Sequence, residues 1–209
     1  MNGFPWPLVK TYFWLKGRYS HLHHFIIPLL KKKNDPKVFC VGTVKTGSSS
    51  LAKALSILGY RTIQNISINE PKEGWVNYIK KSNYDFWADW PMRKDGLYKE
   101  LDNALPNSKF ILTIREKESW AKSYKNYFER SPWEIKDSQV FEKRIQTYEQ
   151  KNNEIIEYFK DKPSQFLIVD IIKGAGWNEI CKFLDKPIPN KPFPHKRKGK
   201  YKNKPDVAK

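Results

Sequence analysis

Lys37-Val38-Phe39-Cys40-Val41-Gly42-Thr43-Val44-Lys45-Thr46-Gly47-Ser48-Ser49-Ser50 is the stretch on which the fold turns. Residues 37–42 form a short β-rich run that ends in glycine, the pattern of a buried strand. After it, Leu51, Ala54, Leu55 and Leu58 recur at i, i+3, i+4 and i+7, which is one face of a helix, and Gly59 is a natural stop. A strand, a glycine-containing turn and a helix open a phosphate-binding α/β unit. Backbone N–H groups at the start of such a helix wrap an anion, aided by the helix dipole.

Working outward, further strands are predicted at 61–66, 84–88, 109–114 and 165–169. Helices are predicted at 72–81, 96–105, 117–129, 138–159 and 177–184. In the long helix Phe141, Ile145, Tyr148, Ile155 and Phe159 trace a buried face. Strands alternating with helices predict an α/β fold, a three-layer, mainly parallel, doubly wound sheet with a P-loop-like phosphate-binding loop. Ligands of such sheets bind beyond the carboxyl ends of the strands.

The chain divides into a basic, aromatic extension (1–35), an α/β domain (36–195) and a basic tail (196–209). Trp6, Tyr12, Phe13, Trp14 and Phe25 of the extension suit packing against the body, a peripheral membrane contact, or a flap over a site. With 209 residues the chain buries a core without disulfides. Its 39% hydrophobic and 15% aromatic content excludes disorder throughout and collagen-like sequence. A net charge of +17 favours anionic partners without choosing among nucleotide, glycan, nucleic acid and membrane. Cys40 and Cys181 are too few for a disulfide framework or a cysteine zinc site and read as small core residues in a reducing compartment. No apolar run nears the roughly 20 residues that cross a bilayer. Signal-peptide features are lacking too, so a soluble, cytoplasmic protein is expected. His21, His23 and His24 have no acidic or cysteine neighbours that would make a metal site, and none is expected.

The Walker A pattern is G-x4-G-K-[ST]. Gly42 and Gly47 keep that spacing, but Ser48 follows the second glycine and the lysine has moved into the loop as Lys45. A kinase or NTPase also holds magnesium through a strand-end carboxylate, for which Val169-Asp170 is the one weak candidate.

With a lysine, a small polar residue, a glycine and two hydroxyl residues, Lys45-Thr46-Gly47-Ser48-Ser49 resembles the loop of the sulfotransferases that use PAPS, 3′-phosphoadenosine 5′-phosphosulfate. The resemblance implies that Val44, Lys45, Thr46, Gly47, Ser48 and Ser49 bind the 5′-phosphosulfate. Lys45 would then contact the oxygen between phosphate and sulfate. Phe110-Ile111-Leu112-Thr113-Ile114-Arg115 is an apolar strand ending in arginine, and Ser123 lies eight residues on. The family uses an arginine and a serine at this spacing to hold the 3′-phosphate, a fork geometry that suits guanidinium. A structural ion pair for Arg115 and a solvated Ser123 is the alternative. Arg197-Lys198-Gly199 echoes the family's late clamp on the same phosphate.

In Phe86-Trp87-Ala88-Asp89-Trp90-Pro91, Asp89 stands where cytosolic members carry a catalytic histidine. A desolvated carboxylate can take a proton from a hydroxyl, and capping of the turn after it is the other reading. Ser50 replaces a tryptophan that often stacks on adenine. The resemblance covers about residues 37–195, and Trp177, Phe183 and Phe193 near its end read as core.

The expectation is therefore sulfuryl transfer from PAPS, without a metal, to a hydroxyl or amine of a small-molecule or glycan acceptor. The catalytic residues would be Lys45 and Asp89. A magnesium-dependent P-loop small-molecule kinase and a non-catalytic nucleotide- or anion-binding protein are the alternatives. No motif for specific nucleic-acid binding is present.

Overall fold

The computed structural model describes residues 36–66, 68–130 and 138–196. Its strands are β1 (Val38–Cys40), β2 (Thr62–Gln64), β3 (Phe86–Ala88), β4 (Lys109–Thr113) and β5 (Phe166–Val169). Its helices are α1 (Ser48–Ile57), α2 (Gly74–Lys81), α3 (Leu97–Ala104), α4 (Lys117–Arg130), α5 (Ser138–Phe159) and α6 (Trp177–Leu184). Each lies within two residues of its predicted bounds. A short 3-10 turn at Ile171–Lys173, which the apolar pattern does not announce, follows β5.

All five strands are parallel, in the order β2-β3-β1-β4-β5. Alternating side chains split the sheet between two cores, as the two-residue period of a strand requires. Val38, Cys40, Phe86, Ala88 and Ile111 pack with Leu51 and Leu55 of α1 and Ile180 and Leu184 of α6. Phe39, Trp87, Phe110 and Leu112 pack instead with Trp75 and Ile79 of α2, Leu97 and Leu101 of α3 and Phe159 of α5. Helices thus cover both faces, giving three layers. Each fully buried side chain of this size contributes about 1.5–3 kcal/mol.

Helix α5 departs from its predicted single buried face. Tyr148 and Phe159 are buried, while Phe141, Ile145 and Ile155 are only partly so. The helix serves two clusters. Its end enters the main core, and its middle meets α4, where Trp120 stacks on Tyr148 (centroids 4.0 Å apart) and on Tyr124 (5.1 Å). Trp177 is buried as expected, whereas Phe183 and Phe193 are half-buried against the α1–α6 side.

Strand β1 has β3 on one side and β4 on the other, so the chain leaves the sheet in opposite directions around it. That is the switch point where open α/β sheets form their crevice. Gly42 lies just beyond β1, and a Cβ there would overlap Thr113 Oγ1 and stand 2.5 Å from Thr113 O and 2.9 Å from Thr113 N. The close approach of the β1 exit to β4 therefore requires glycine. Gly42→Ala should cost about 3 kcal/mol, the upper range of overpacking. Gly59→Ala, at φ 90° with no atom within 4 Å, should lose only the left-handed strain of about 1–2 kcal/mol. Urea unfolding of the two variants checks the difference, and equal midpoints would contradict the steric account.

Candidate functional site

The loop between β1 and α1 is held from beneath. Thr46 is fully buried, and its Oγ1 donates to Thr43 O at 2.6 Å and meets Thr113 Oγ1 at 2.7 Å. Cys40 Sγ lies 3.6 Å beyond, against the same Thr113 oxygen. The indole N–H of Trp120 donates to Val44 O at 2.9 Å. Lys45 and Gly47 both take positive φ, 70° and 109°, and a Cβ on Gly47 would press on Ile171 at 3.1 Å. The first bonds of α1 run from Ser50 N and Leu51 N to Gly47 O, so the N–H groups of Ser48 and Ser49 have no intrahelical acceptor. Carbonyls tied inward and amides left at a helix start make an anion cradle. Thr46 serves it through the backbone, because its hydroxyl is engaged in the core.

Burial pushes the Cys40 thiol up to about 12, and the charge of Asp89 adds to the rise while the contact with Thr113 opposes it. Cys40 is thus a protonated thiol able to donate along the chain from Cys40 to Thr113 to Thr46 to Thr43.

Asp89 follows β3 at φ 62°, with only 8% of its surface exposed. Asp and Asn tolerate this left-handed backbone better than most residues, and such outliers gather at functional sites. Ser48 Oγ donates to Asp89 Oδ1 at 3.1 Å. Gln64 Nε2, at the end of β2, reaches Asp89 Oδ2 at 3.3 Å and Ser49 Oγ at 3.4 Å. The carboxylate is thereby joined to the anion loop. The turn that follows is closed by the main chain, where the Asp89 backbone carbonyl accepts from Arg93 N at 3.1 Å.

Arg115, two residues past β4, reaches the loop from the other side. Its Nη1 donates to Lys45 O at 3.3 Å and its Nε to Ser119 Oγ at 2.9 Å. Tyr148 fixes its backbone, accepting from Arg115 N at 3.0 Å and donating to Arg115 O at 2.8 Å. Burial lowers the affinity of this guanidinium for its proton, while Asp170, Tyr148 and Glu116 act in the other direction. The group nevertheless stays charged in a protein, and a half-buried cation beside free amides suits an anion.

Ser123, the predicted partner, lies one turn beyond Ser119 on the same face of α4, half-buried, and Ser119 takes the direct bond to Arg115. Tyr127, a further turn on, lies 5.5 Å from Lys45 Nζ. An eight-residue spacing singled out Ser123. The four-residue spacing of a helix face would have found Ser119 too.

Asp170, the weak magnesium-ligand candidate, accepts from Ile172 N and Lys173 N through Oδ1, both at 3.0 Å, and so caps the 3-10 turn. Trp75 and Trp87 are core residues, whereas Trp90, next to Asp89, is 36% exposed. Ser50, in place of the expected tryptophan, accepts from Lys196 N at 3.0 Å and ties the start of the tail to α1. Arg197, Lys198 and Gly199 lie outside the described residues, as does the extension (1–35). His195 is exposed. Gln64, like Ser119, is a site residue that sequence reasoning missed, although its place at a strand's carboxyl end was a signal.

An all-parallel five-stranded sheet of this order, covered by helices on both faces, defines a three-layer α/β protein. The family described as Sulfotransferase domain matches residues 37–142 and 131–201, and the chain belongs to that family. Membership assigns it, in general terms, to sulfotransfer chemistry. The chain is also similar to Ava biosynthesis cluster protein M of Aspergillus versicolor, 26% identical over 209 residues that cover 76% of this chain and 80% of that protein. Among the described residues no helix is long and apolar enough to cross a membrane.

The raised Cys40 thiol makes a signed prediction. A group held neutral by burial stabilises the fold fully below its unfolded value, 9.0, and that stability is lost as pH climbs toward about 12. The unfolding free energy should fall across this window, and Cys40→Ala should remove the thiol's share of the fall. Rapid alkylation of native Cys40 at neutral pH would contradict the assignment.

Proposed function

We propose that the chain transfers the sulfuryl group of PAPS to a hydroxyl or amine of a small-molecule acceptor, releasing 3′-phosphoadenosine 5′-phosphate. The observation that carries this reading is the meeting of Ser48 Oγ and Asp89 Oδ1 at 3.1 Å, which sets a buried carboxylate at the edge of an anion-binding loop. A group transferred from an anion on that loop would pass beside a base.

In this reading Lys45 and the N–H groups of Ser48 and Ser49 face the charge that develops on the departing phosphate. Val44, Thr46 and Gly47 shape the loop that presents them. Arg115, with Ser119 and Ser123 along one face of α4, holds the 3′-phosphate, joined by Arg197, Lys198 and Gly199 from the tail. The acceptor atom bonds to sulfur as the bond from sulfur to the phosphate oxygen breaks, and that oxygen keeps the electron pair. Asp89 takes the acceptor's proton. Alignment of the two partners supplies much of the rest of the rate. Charge neutralisation by Lys45 and the helix start leaves no step that calls for a metal.

A small-molecule acceptor is in keeping with a relative named for a biosynthesis cluster. The exposed indole of Trp90 offers a face to an aryl or sugar ring. Two free, buried cysteines suit a reducing, cytoplasmic setting.

Calorimetry with 3′-phosphoadenosine 5′-phosphate in EDTA should show micromolar binding. Lys45→Ala and Arg115→Ala should each weaken it about 10- to 100-fold, the scale of a lost charge-assisted hydrogen bond. Preference for ATP with magnesium would move the chain to the kinases. Asp89→Asn should bind the nucleotide normally yet slow sulfuryl transfer about 100-fold or more, as loss of a general base does. Unchanged turnover would remove Asp89 from the chemistry.

A further inference from the structure

Ser48 has a single hydroxyl proton, and two acceptors have a claim on it. It now donates to Asp89 Oδ1 at 3.1 Å. The same hydroxyl stands at the start of α1, where an anion on the loop would also call for a donor. Donation to that anion would leave Asp89 Oδ1 open to receive a proton, and would also remove one of the contacts that orient the carboxylate.

Gln64 supplies the contact that persists. Its amide nitrogen carries two protons, one for each of two acceptors, Asp89 Oδ2 at 3.3 Å and Ser49 Oγ at 3.4 Å. The orientation of the amide follows from its partner, because the opposite flip would set Gln64 Oε1 against the carboxylate. The backbone around it is fixed. Gln64 pairs in register with Ala88, the residue before Asp89, while Asn65 N donates to Ala88 O and Ile66 N to Trp90 O, each at 3.1 Å. Both distances are long for a strong bond, as catalytic contacts commonly are before substrates bind.

We propose that Gln64 is the positioning residue of the transfer site, anchoring Asp89 through Oδ2 so that Oδ1 alone faces the acceptor when Ser48 turns to the donor. The two carboxylate oxygens then have separate roles, one anchored and one reactive. This inference rests on the sulfuryl-transfer reading and on Asp89 as base.

The test uses the full chain with PAPS carrying labelled sulfur, and water and 2-naphthol as probe acceptors. Gln64→Met keeps the length of the side chain and removes its donors. It should leave the affinity for 3′-phosphoadenosine 5′-phosphate unchanged by calorimetry, and should lower kcat by about 10- to 100-fold, the cost of a misplaced catalytic group. In the Asp89→Asn background the same substitution should have no further effect, because residues acting through one group are not additive. Should Gln64→Met lose cooperative unfolding, Gln64→Leu carries the same expectations, since it is close in size, uncharged and without N–H donors. Wild-type kcat in the Gln64 variant overturns the proposal while leaving the base assignment intact. So does an equal loss in nucleotide affinity, or a loss that multiplies with Asp89→Asn. Full turnover by Asp89→Asn alone overturns the base assignment, and the role of Gln64 with it. Absence of any sulfuryl release from PAPS overturns the transfer reading as a whole.

Discussion

The buried hydrogen bond between Thr46 and Thr113, 2.7 Å long, is the tie on which the rest of the site depends. It crosses from the loop to β4 at the point where Gly42 lets β1 pass against the Thr113 backbone. A buried hydroxyl without a partner costs about 1–3 kcal/mol, so each threonine holds the other in place. The Thr46 hydroxyl also closes the loop on Thr43 O, and Trp120 draws in the next carbonyl, that of Val44. The amides at the start of α1 are turned outward as a consequence. The same construction reaches Arg115, because Tyr148 stacks on Trp120 and grips both backbone polar groups of the arginine. One aromatic stack therefore sets the distance between the loop and Arg115.

On the opposite side of β1, charge does comparable work at the far ends of two strands. Asp85 is almost completely buried and receives three bonds from Arg61, from its backbone N, its Nε and its Nη2. That fixes the amino end of β2 against the amino end of β3, and the register carries through to Gln64 and Ala88. Removing the arginine side chain would take two charge-assisted bonds from a buried carboxylate, which is destabilising. Exposed pairs such as Lys117–Glu149 and Lys151–Asp95 lie open to water and contribute little. Among the described residues such pairs belong to the surface, while Arg61 and Arg115 are engaged beneath it.

The layers of the fold were legible because strand and helix periods differ and every core element is long enough to show its own. Leu51, Ala54 and Leu55 announce α1, and the apolar runs of β1 and β4 announce a sheet buried on both faces. The middle of α5 was less legible, because the helix turns from one core to another and no single stripe describes it. In the site, Lys45, Gly47, Ser48 and Arg115 stood out because anion binding restricts residue types at fixed places along the chain. Gln64 and Ser119 did not. A glutamine at a strand end and a serine on a helix are ordinary locally, and only the neighbouring strand or loop gives them a partner. Asp170 shows the converse, since a carboxylate after a strand invited a functional reading and proved to cap a turn.

The site is built from two halves of the sheet that meet at the start of α1. Thr113 of β4 and Arg115 beyond it, with α4, govern the loop. The ends of β2 and β3 govern Asp89. Strand β1 lies between the two halves, and Ser48 and Ser49, the first residues of its helix, are where the halves touch, through Asp89 Oδ1 and Gln64 Nε2. A shift of β3 relative to β1 would separate the carboxylate from the loop without disturbing either alone. The parallel pairing of Val38 and Phe39 with Phe86 and Trp87 opposes that shift. Their side chains enter both cores, so sliding the strands would unpack the two layers at once. The geometry between the loop and the Asp89 carboxylate is consequently held by the packing of the whole domain, and local hydrogen bonds have only to refine it.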